Sequence, residues 1–135
     1  MSDGVLLFAY NNEQLDYVKQ AIFCAKRIKE FTNLNVTLVT DTPNQIKKYP
    51  FHKKYIDHVL PASKSTETQQ KKFYDGSDYI DATWKNFSRV SCYKFTPYEK
   101  TIVMDTDFIV SSDAILKCFN TQHDFMINRY AFDLN

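Results

Sequence analysis

Five successive apolar residues, Val5-Leu6-Leu7-Phe8-Ala9, are followed by an amphipathic stretch and then by Val36-Thr37-Leu38-Val39-Thr40. A strand with one wet face alternates apolar and polar residues. An unbroken apolar run needs cover on both faces, which is the condition of a parallel sheet. Between the runs, Asn11 or Asn12 offers a helix cap, and Leu15, Val18, Ile22, Ala25 and Ile28 recur at helical spacing up to about Phe31. Glu13, Lys19, Lys26 and Lys29 fall on the other faces of that helix. Asn33 and Asn35 mark the turn into the second run, which ends at Asp41. Strand, helix, strand in this order is a βαβ unit with a right-handed crossover. The expected fold class is α/β: a mainly parallel sheet with helices on both faces.

Further along, Asp41-Thr42-Pro43 opens a short helix to about Tyr49, with Pro43 in its first turn. Residues 56–60 read as a third strand, stopped by Pro61. Residues 63–79 hold few apolar side chains besides Phe73, Tyr74 and Tyr79, and predict a mobile loop of lid-like length. A helix is expected from Asp81 to about Phe95, with Trp84, Phe87 and Val90 on its apolar side. A strand from Thr101 to Val110, a short helix from Ser111-Ser112-Asp113 to Phe119 and a last strand from Asp124 to Tyr130 complete the pattern.

At 135 residues the chain makes one domain. It carries two glycines, Gly4 and Gly76, too few for a Walker loop or a dinucleotide-binding turn. A nucleotide would have to be held without a glycine-rich phosphate cradle. The net charge of +1 gives no bulk attraction for nucleic acid or an anionic membrane. The lysines at 47, 48, 53, 54, 64, 71 and 72, interleaved with aromatic residues, read as a solvated surface, and no nucleic-acid partner is expected. No apolar stretch approaches the ~20 residues of a membrane span. Met1-Ser2-Asp3-Gly4 lacks the basic start of a signal peptide, so the expected location is the cytoplasm. Cys24, Cys92 and Cys118 are far apart and odd in number, which predicts free thiols and no structural zinc. His52, His58 and His123 show no metal-binding spacing.

Chemistry enters where Thr101-Ile102-Val103-Met104 runs into Asp105-Thr106-Asp107. On a continuing strand, residues i and i+2 share a face about 7 Å apart. Two carboxylates so placed repel by about 3 kcal/mol, taking ~6 Å between charges and a dielectric of ~20. Three arrangements relieve this. A hard cation, Mg²⁺ or Mn²⁺, takes oxygen ligands and keeps positions for phosphate. Alternatively Asp107 serves as a cap or turn residue, or Asp105 pairs with a Lys or Arg. Lys85 and Arg89, four apart on the expected helix, repel slightly unless they share an anion.

The span 81–110 adds a resemblance. Ser88-Arg89-Val90 leads through Tyr93-Lys94-Phe95 and Tyr98-Glu99-Lys100 into the strand that ends in D-x-D. This is similar to the core of GT-A-fold glycosyltransferases, closest to the galactosyltransferase- and glycogenin-like retaining family. The resemblance implies that Asp105 and Asp107 bind Mn²⁺ or Mg²⁺ on a donor diphosphate, with Asp105 also near the ribose and Thr106 among the donor-binding residues. It makes Arg89 the catalytic contact to donor sugar or phosphate, with Lys85 a further contact. Phe8-Ala9-Tyr10-Asn11, a helix containing Tyr17 and a second strand ending in Asp41 resemble the family's Rossmann-like nucleotide-binding half. There the loop after the first strand meets uracil, which nominates Ala9, Tyr10 and Asn11, and Asp41 joins them as the residue ending the second strand at the same carboxyl edge. Tyr10 departs from the small or acidic residues usual at that point.

The implied function is a hexosyltransferase-type glycosyltransferase using a nucleoside diphosphate sugar, a UDP-sugar favoured, with an unidentified acceptor. Members of that family continue well past this length and draw a further metal ligand from a late histidine. Here 25 residues follow Val110. The expectation is therefore a donor-binding half, truncated or completed by a second protein segment that supplies the acceptor half. Haloacid-dehalogenase-like phosphatases also place D-x-D after an apolar strand, but Ile109 stands where they carry Thr or Val. The non-enzyme alternative is an inactive, glycosyltransferase-derived binding or interaction domain.

Overall fold

A computed structural model describes residues 2–63, 69–74, 79–84 and 87–127. The two apolar runs form β1 (Asp3–Ala9) and β2 (Asn35–Thr40), joined by α1 (Tyr17–Phe31). They pair in parallel, Gly4 with Asn35 through Ala9 with Thr40. β3 (His58–Pro61) lies parallel on the far side of β2, and β6 (Lys100–Met104) lies parallel on the far side of β1. The sheet order is β3-β2-β1-β6, all parallel. The α/β expectation holds.

Unbroken apolar runs make sense here because both faces of β1 are covered. Val5, Leu7 and Ala9 join Val36 and Leu38 in one cluster with Val18, Ala21, Ile22, Cys24, Ala25 and Ile28 of α1. Leu6, Phe8 and Val39 point the other way, against Phe95 and Cys92 of α2 (Cys92–Phe95). Each fully buried Leu, Val or Ile contributes about 1.5–3 kcal/mol. The segment after β6 returns beneath α1: Val110 and Phe119 enter the α1 cluster, and Arg27 Nε donates to the Val110 carbonyl at 3.2 Å. The predicted helix ending at Phe119 is a 3₁₀ helix, Asp113–Phe119, whose cap Ser112 accepts from the Ala114 N–H.

Several expectations are corrected. The cap of α1 is Asp16, which accepts from the Lys19 N–H, whereas Asn12 accepts from the N–H groups of Gln14 and Leu15 in the preceding turn. The helix to Tyr49 is a 3₁₀ helix, Pro43–Lys48, followed by a second one, Pro50–Lys54. The stretch 63–79, expected as a loop, contains β4 (Gln69–Tyr74), which pairs antiparallel with β5 (Tyr79–Trp84). Residues 64–68 and 75–78 of that stretch lie outside the described residues. The helix expected from Asp81 is thus β5 first, then a 3₁₀ helix, Phe87–Ser91, and the single turn of α2. Val90, placed on its apolar side, is 56% exposed. Where a strand from Asp124 was expected, residues 124–127 have no regular structure, and 128–130 lie outside the described residues. Among the described residues, no helix is long and apolar enough to cross a membrane.

Candidate functional site at the carboxyl edge of the sheet

Parallel pairing sends the carboxyl ends of β1, β2 and β6 to one edge, where Tyr10, Asp41 and Asp105 follow Ala9, Thr40 and Met104. β6 ends at Met104, so the premise that Asp105 and Asp107 continue a strand fails. The chain turns instead, and the Phe108 N–H donates to the Asp105 carbonyl at 3.2 Å. Thr106 is the buried middle of this turn, 6% exposed, and its hydroxyl donates to Gln20 Oε1 of α1 at 2.8 Å. The Cys24 thiol, also on α1, lies 3.9 Å from the Asp105 carbonyl oxygen and from Met104 Sδ. Gln20 and Cys24 thus pin the turn from below, while the carboxylates of Asp105 and Asp107 remain exposed. Thr106 is accordingly an anchor, with its hydroxyl already engaged.

Arg89 comes to this edge from the Phe87–Ser91 helix and pairs through Nη1 with Asp105 Oδ1. Of the three arrangements open for the acidic pair, two are seen: Asp105 pairs with Arg89, and Asp107 is a turn residue. The Arg89 side chain is 29% exposed against 56% for Asp105. Its Nε is buried and has no hydrogen-bond partner among the described residues. Burial pulls the guanidinium pKa down, and the negative charge of Asp107 and the hydroxyls of Tyr10 and Tyr17 push against that fall. Arg89 is the positive centre of the rim, facing both carboxylates.

The other nominated residues divide. Ala9 is fully buried in the α1 cluster, backbone included, so it supports the rim and presents no surface to a ligand. Tyr10 packs on the opposite cluster, its ring 6.3 Å from that of Phe8 between centroids. Asn11 is committed locally: its Oδ1 accepts from the Val18 N–H at 3.1 Å and its Nδ2 donates to Asp16 at 3.0 Å. Its backbone N–H donates to Asp41 Oδ1 at 3.2 Å, which ties the loop after β1 to the end of β2. Asn11 and Asp41 therefore shape the rim. Lys85 lies outside the described residues.

Sequence reasoning did not single out Gln20 or Cys24. The signal available was helical spacing: Tyr17, Gln20 and Cys24 stand at i, i+3 and i+7, on one face of the first half of α1.

Among the described residues, no group of three or more His, Cys, Asp or Glu is placed to hold a metal ion. Mg²⁺ and Mn²⁺ sites that serve phosphates commonly use one or two carboxylates and complete their shell with phosphate oxygens and water. Two exposed carboxylates on one pinned turn fit that donor set.

No protein-family model matches the chain, and no curated protein or solved structure is similar to it. Fold and rim together define a parallel α/β domain with an ion-paired Arg–Asp centre at its carboxyl edge.

Proposed function

We propose that this domain binds a nucleoside diphosphate sugar at the carboxyl edge of its sheet, as the donor-binding half of a GT-A-type, Rossmann-like glycosyltransferase with UDP-sugars favoured. The observation that carries the reading is the meeting of Arg89 with the Asp105-Thr106-Asp107 turn. Open α/β sheets receive ligands outside the carboxyl ends of their strands. There, a partly buried guanidinium suits a phosphate oxygen, because Arg binds phosphate through two parallel N–H donors. Transfer of Arg89 from Asp105 to a diphosphate leaves both carboxylates ready for Mg²⁺ or Mn²⁺. That ion, held by Asp105 and Asp107, would neutralise charge on the leaving diphosphate. Arg89 would add its own charge at the same place. Tyr10 and Asn11, both partly exposed, would border the base.

One observation favours the non-catalytic alternative. Arg89 already neutralises Asp105, so a domain that reads the anion with Arg89 alone needs no metal. Titration calorimetry with UDP and several UDP-sugars, in Mn²⁺ and in EDTA, separates the readings. Tighter binding in Mn²⁺ that disappears in Asp105→Asn or Asp107→Asn supports the metal-bridged donor. Equal affinity in the two buffers supports the metal-free binding domain. Failure to bind under either condition would sink both.

A further inference from the structure

A second site lies on the outer side of α1. Lys19, Ile22, Phe23 and Lys26 stand at i, i+3, i+4 and i+7, on one face of the helix. Together with Tyr49, Phe51 and Tyr55 from the paired 3₁₀ helices, they line a cleft of about 240 Å³. These residues are distinct from those of the rim around Arg89 and Asp105.

The aromatic wall is held in place. The Tyr49 hydroxyl donates to Asp16 Oδ2 at 2.5 Å, so the ring is tethered to the cap of α1. Its ring stands at 63° to that of Phe51, with centroids 6.1 Å apart. Phe23 and Phe51 are nevertheless 54% and 50% exposed, so the cleft leaves half of each ring in water.

Lys19 and Lys26 are the charged residues that line the cleft, while Asp16 is engaged by Tyr49 and Glu30 lies beside Lys26. Residues 42–56 carry Lys47, Lys48, His52, Lys53 and Lys54 and no Asp or Glu. All four of those lysines are exposed. Lys19 and Lys26 stand at the two ends of the helical face. Lys26 reaches Glu30 at 3.8 Å, an exposed pair of little worth.

Size and shape narrow the occupant. Small-molecule sites occupy about 300–1,000 Å³, and this cleft falls below that range, at the scale of one or two side chains. A bilayer is met by protruding apolar groups, whereas here the apolar surface is concave. A single nucleic-acid strand needs a groove that follows several nucleotides. We propose that the cleft docks an acidic peptide segment, which inserts a bulky apolar side chain between Phe23 and Phe51 while its flanking carboxylates meet Lys19, Lys26 and the lysines of 47–54. This use of the surface is independent of nucleotide binding at the sheet edge.

The test is fluorescence anisotropy at low salt with a labelled Glu-rich peptide carrying a central Leu-Phe pair. The protein binds it, and the same peptide with Ala-Ala at the centre, or with Lys for every Glu, binds about tenfold more weakly or not at all. Phe51→Ser and the double change Lys19→Glu with Lys26→Glu each lower the affinity by a similar factor. All three residues lie at the surface, and circular dichroism checks that the variants are folded. Backbone amide shifts in NMR spectra recorded with the peptide cluster at residues 19–26 and 49–55. No binding of the Leu-Phe peptide, or binding indifferent to Phe51→Ser, overturns the proposal. So does preferential binding to phosphatidylserine-containing vesicles or to an oligo-dT strand that the same variants abolish, since the occupant would then be a membrane or a nucleic acid.

Discussion

The ring of Tyr98 occupies the space that a side chain on Gly4 would need: a Cβ there would stand 2.4 Å from Tyr98 Cε2. The same tyrosine is 8% exposed, and its hydroxyl lies 2.6 Å from Thr37 Oγ1. Gly4 and Thr37 belong to neighbouring strands and face the same side of the sheet as Leu6 and Val39. Tyr98 thus closes that face at the end opposite the candidate site.

Gly4→Ala should therefore destabilise the fold by about 1–3 kcal/mol, the usual cost of overpacking a close contact. Tyr98→Phe keeps the ring and leaves the buried Thr37 hydroxyl without its partner, a loss of about 1–3 kcal/mol. Urea unfolding of the two variants and of Gly4→Ala/Tyr98→Ala checks the geometry. In the double variant the extra methyl should cost almost nothing beyond the loss of the ring. A neutral Gly4→Ala would mean that Tyr98 does not pack here.

Asp16 predicts an acid limb of stability. Burial works against its charged form, but hydrogen bonds from Tyr49, the Lys19 N–H, Gln45 and Asn11 outweigh it and lower the pKa from 3.8 to about 2. A depressed carboxylate adds stability that is complete above its unfolded value and is lost as pH falls through its folded value. The window runs from about pH 3.8 down to about 2. Asp57 is shifted the same way: burial opposes its charge, and Lys29 and the Val36 N–H prevail. Thermal melts across this range should slope less in Asp16→Asn than in the parent. Parallel slopes would show that the Asp16 network does not persist in solution.

Arg89→Ala should weaken binding of a UDP-sugar by roughly 10- to 100-fold, as expected for a lost charge-assisted hydrogen bond of about 1.5–3 kcal/mol. Binding of uridine alone should hardly change. Lys at this position should rescue only partly, since a point charge lacks the two-pronged guanidinium contact. The Arg89–Asp105 pair is partly exposed, so the alanine variant should lose about 1 kcal/mol of stability or less. An unchanged affinity for the sugar nucleotide would reduce Arg89 to a surface ion pair.

The three thiols should react in a fixed order. Cys118 is exposed, Cys92 intermediate and Cys24 buried. Burial and the charge of Asp107 push the Cys24 thiol up to about 11, so little thiolate exists at neutral pH. Titration with a disulfide reagent should modify Cys118 first and reach Cys24 only on unfolding. Early loss of Cys24, followed by mass spectrometry of peptides, would show that the turn at 105–107 opens.

The parallel sheet was legible because Val5–Ala9 and Val36–Thr40 are apolar at every step but the threonines, and only double-sided burial accounts for that. Gln69-Gln70-Lys71-Lys72-Phe73-Tyr74 gives no such signal, since a mostly polar strand is defined by its partner, here Tyr79–Trp84. Trp84, Phe87 and Val90 recur every third residue and mimic a helical stripe, which hid the strand ending at Trp84. At the site, the D-x-D carboxylates and Arg89 were visible as residue types. Their ion pair was one of three open arrangements, because it joins residues 16 apart in the chain across an unpredicted change of element. Asn11 was legible as a residue of the helix start, but its bonds to the Val18 N–H and to the true cap, Asp16, were not.

The strand order has a consequence for how the molecule comes into being. β1 is synthesised well before β6, yet Asp3 pairs with Lys100 and Leu7 with Met104. Until residue 104 has left the ribosome, one edge of the most apolar strand stays open. β1 and β2 can close locally around α1, but the last pairing must join the two ends of a long loop, and its entropy slows the step. A half-made chain therefore displays an unsatisfied strand edge, the feature that draws one nascent chain to another.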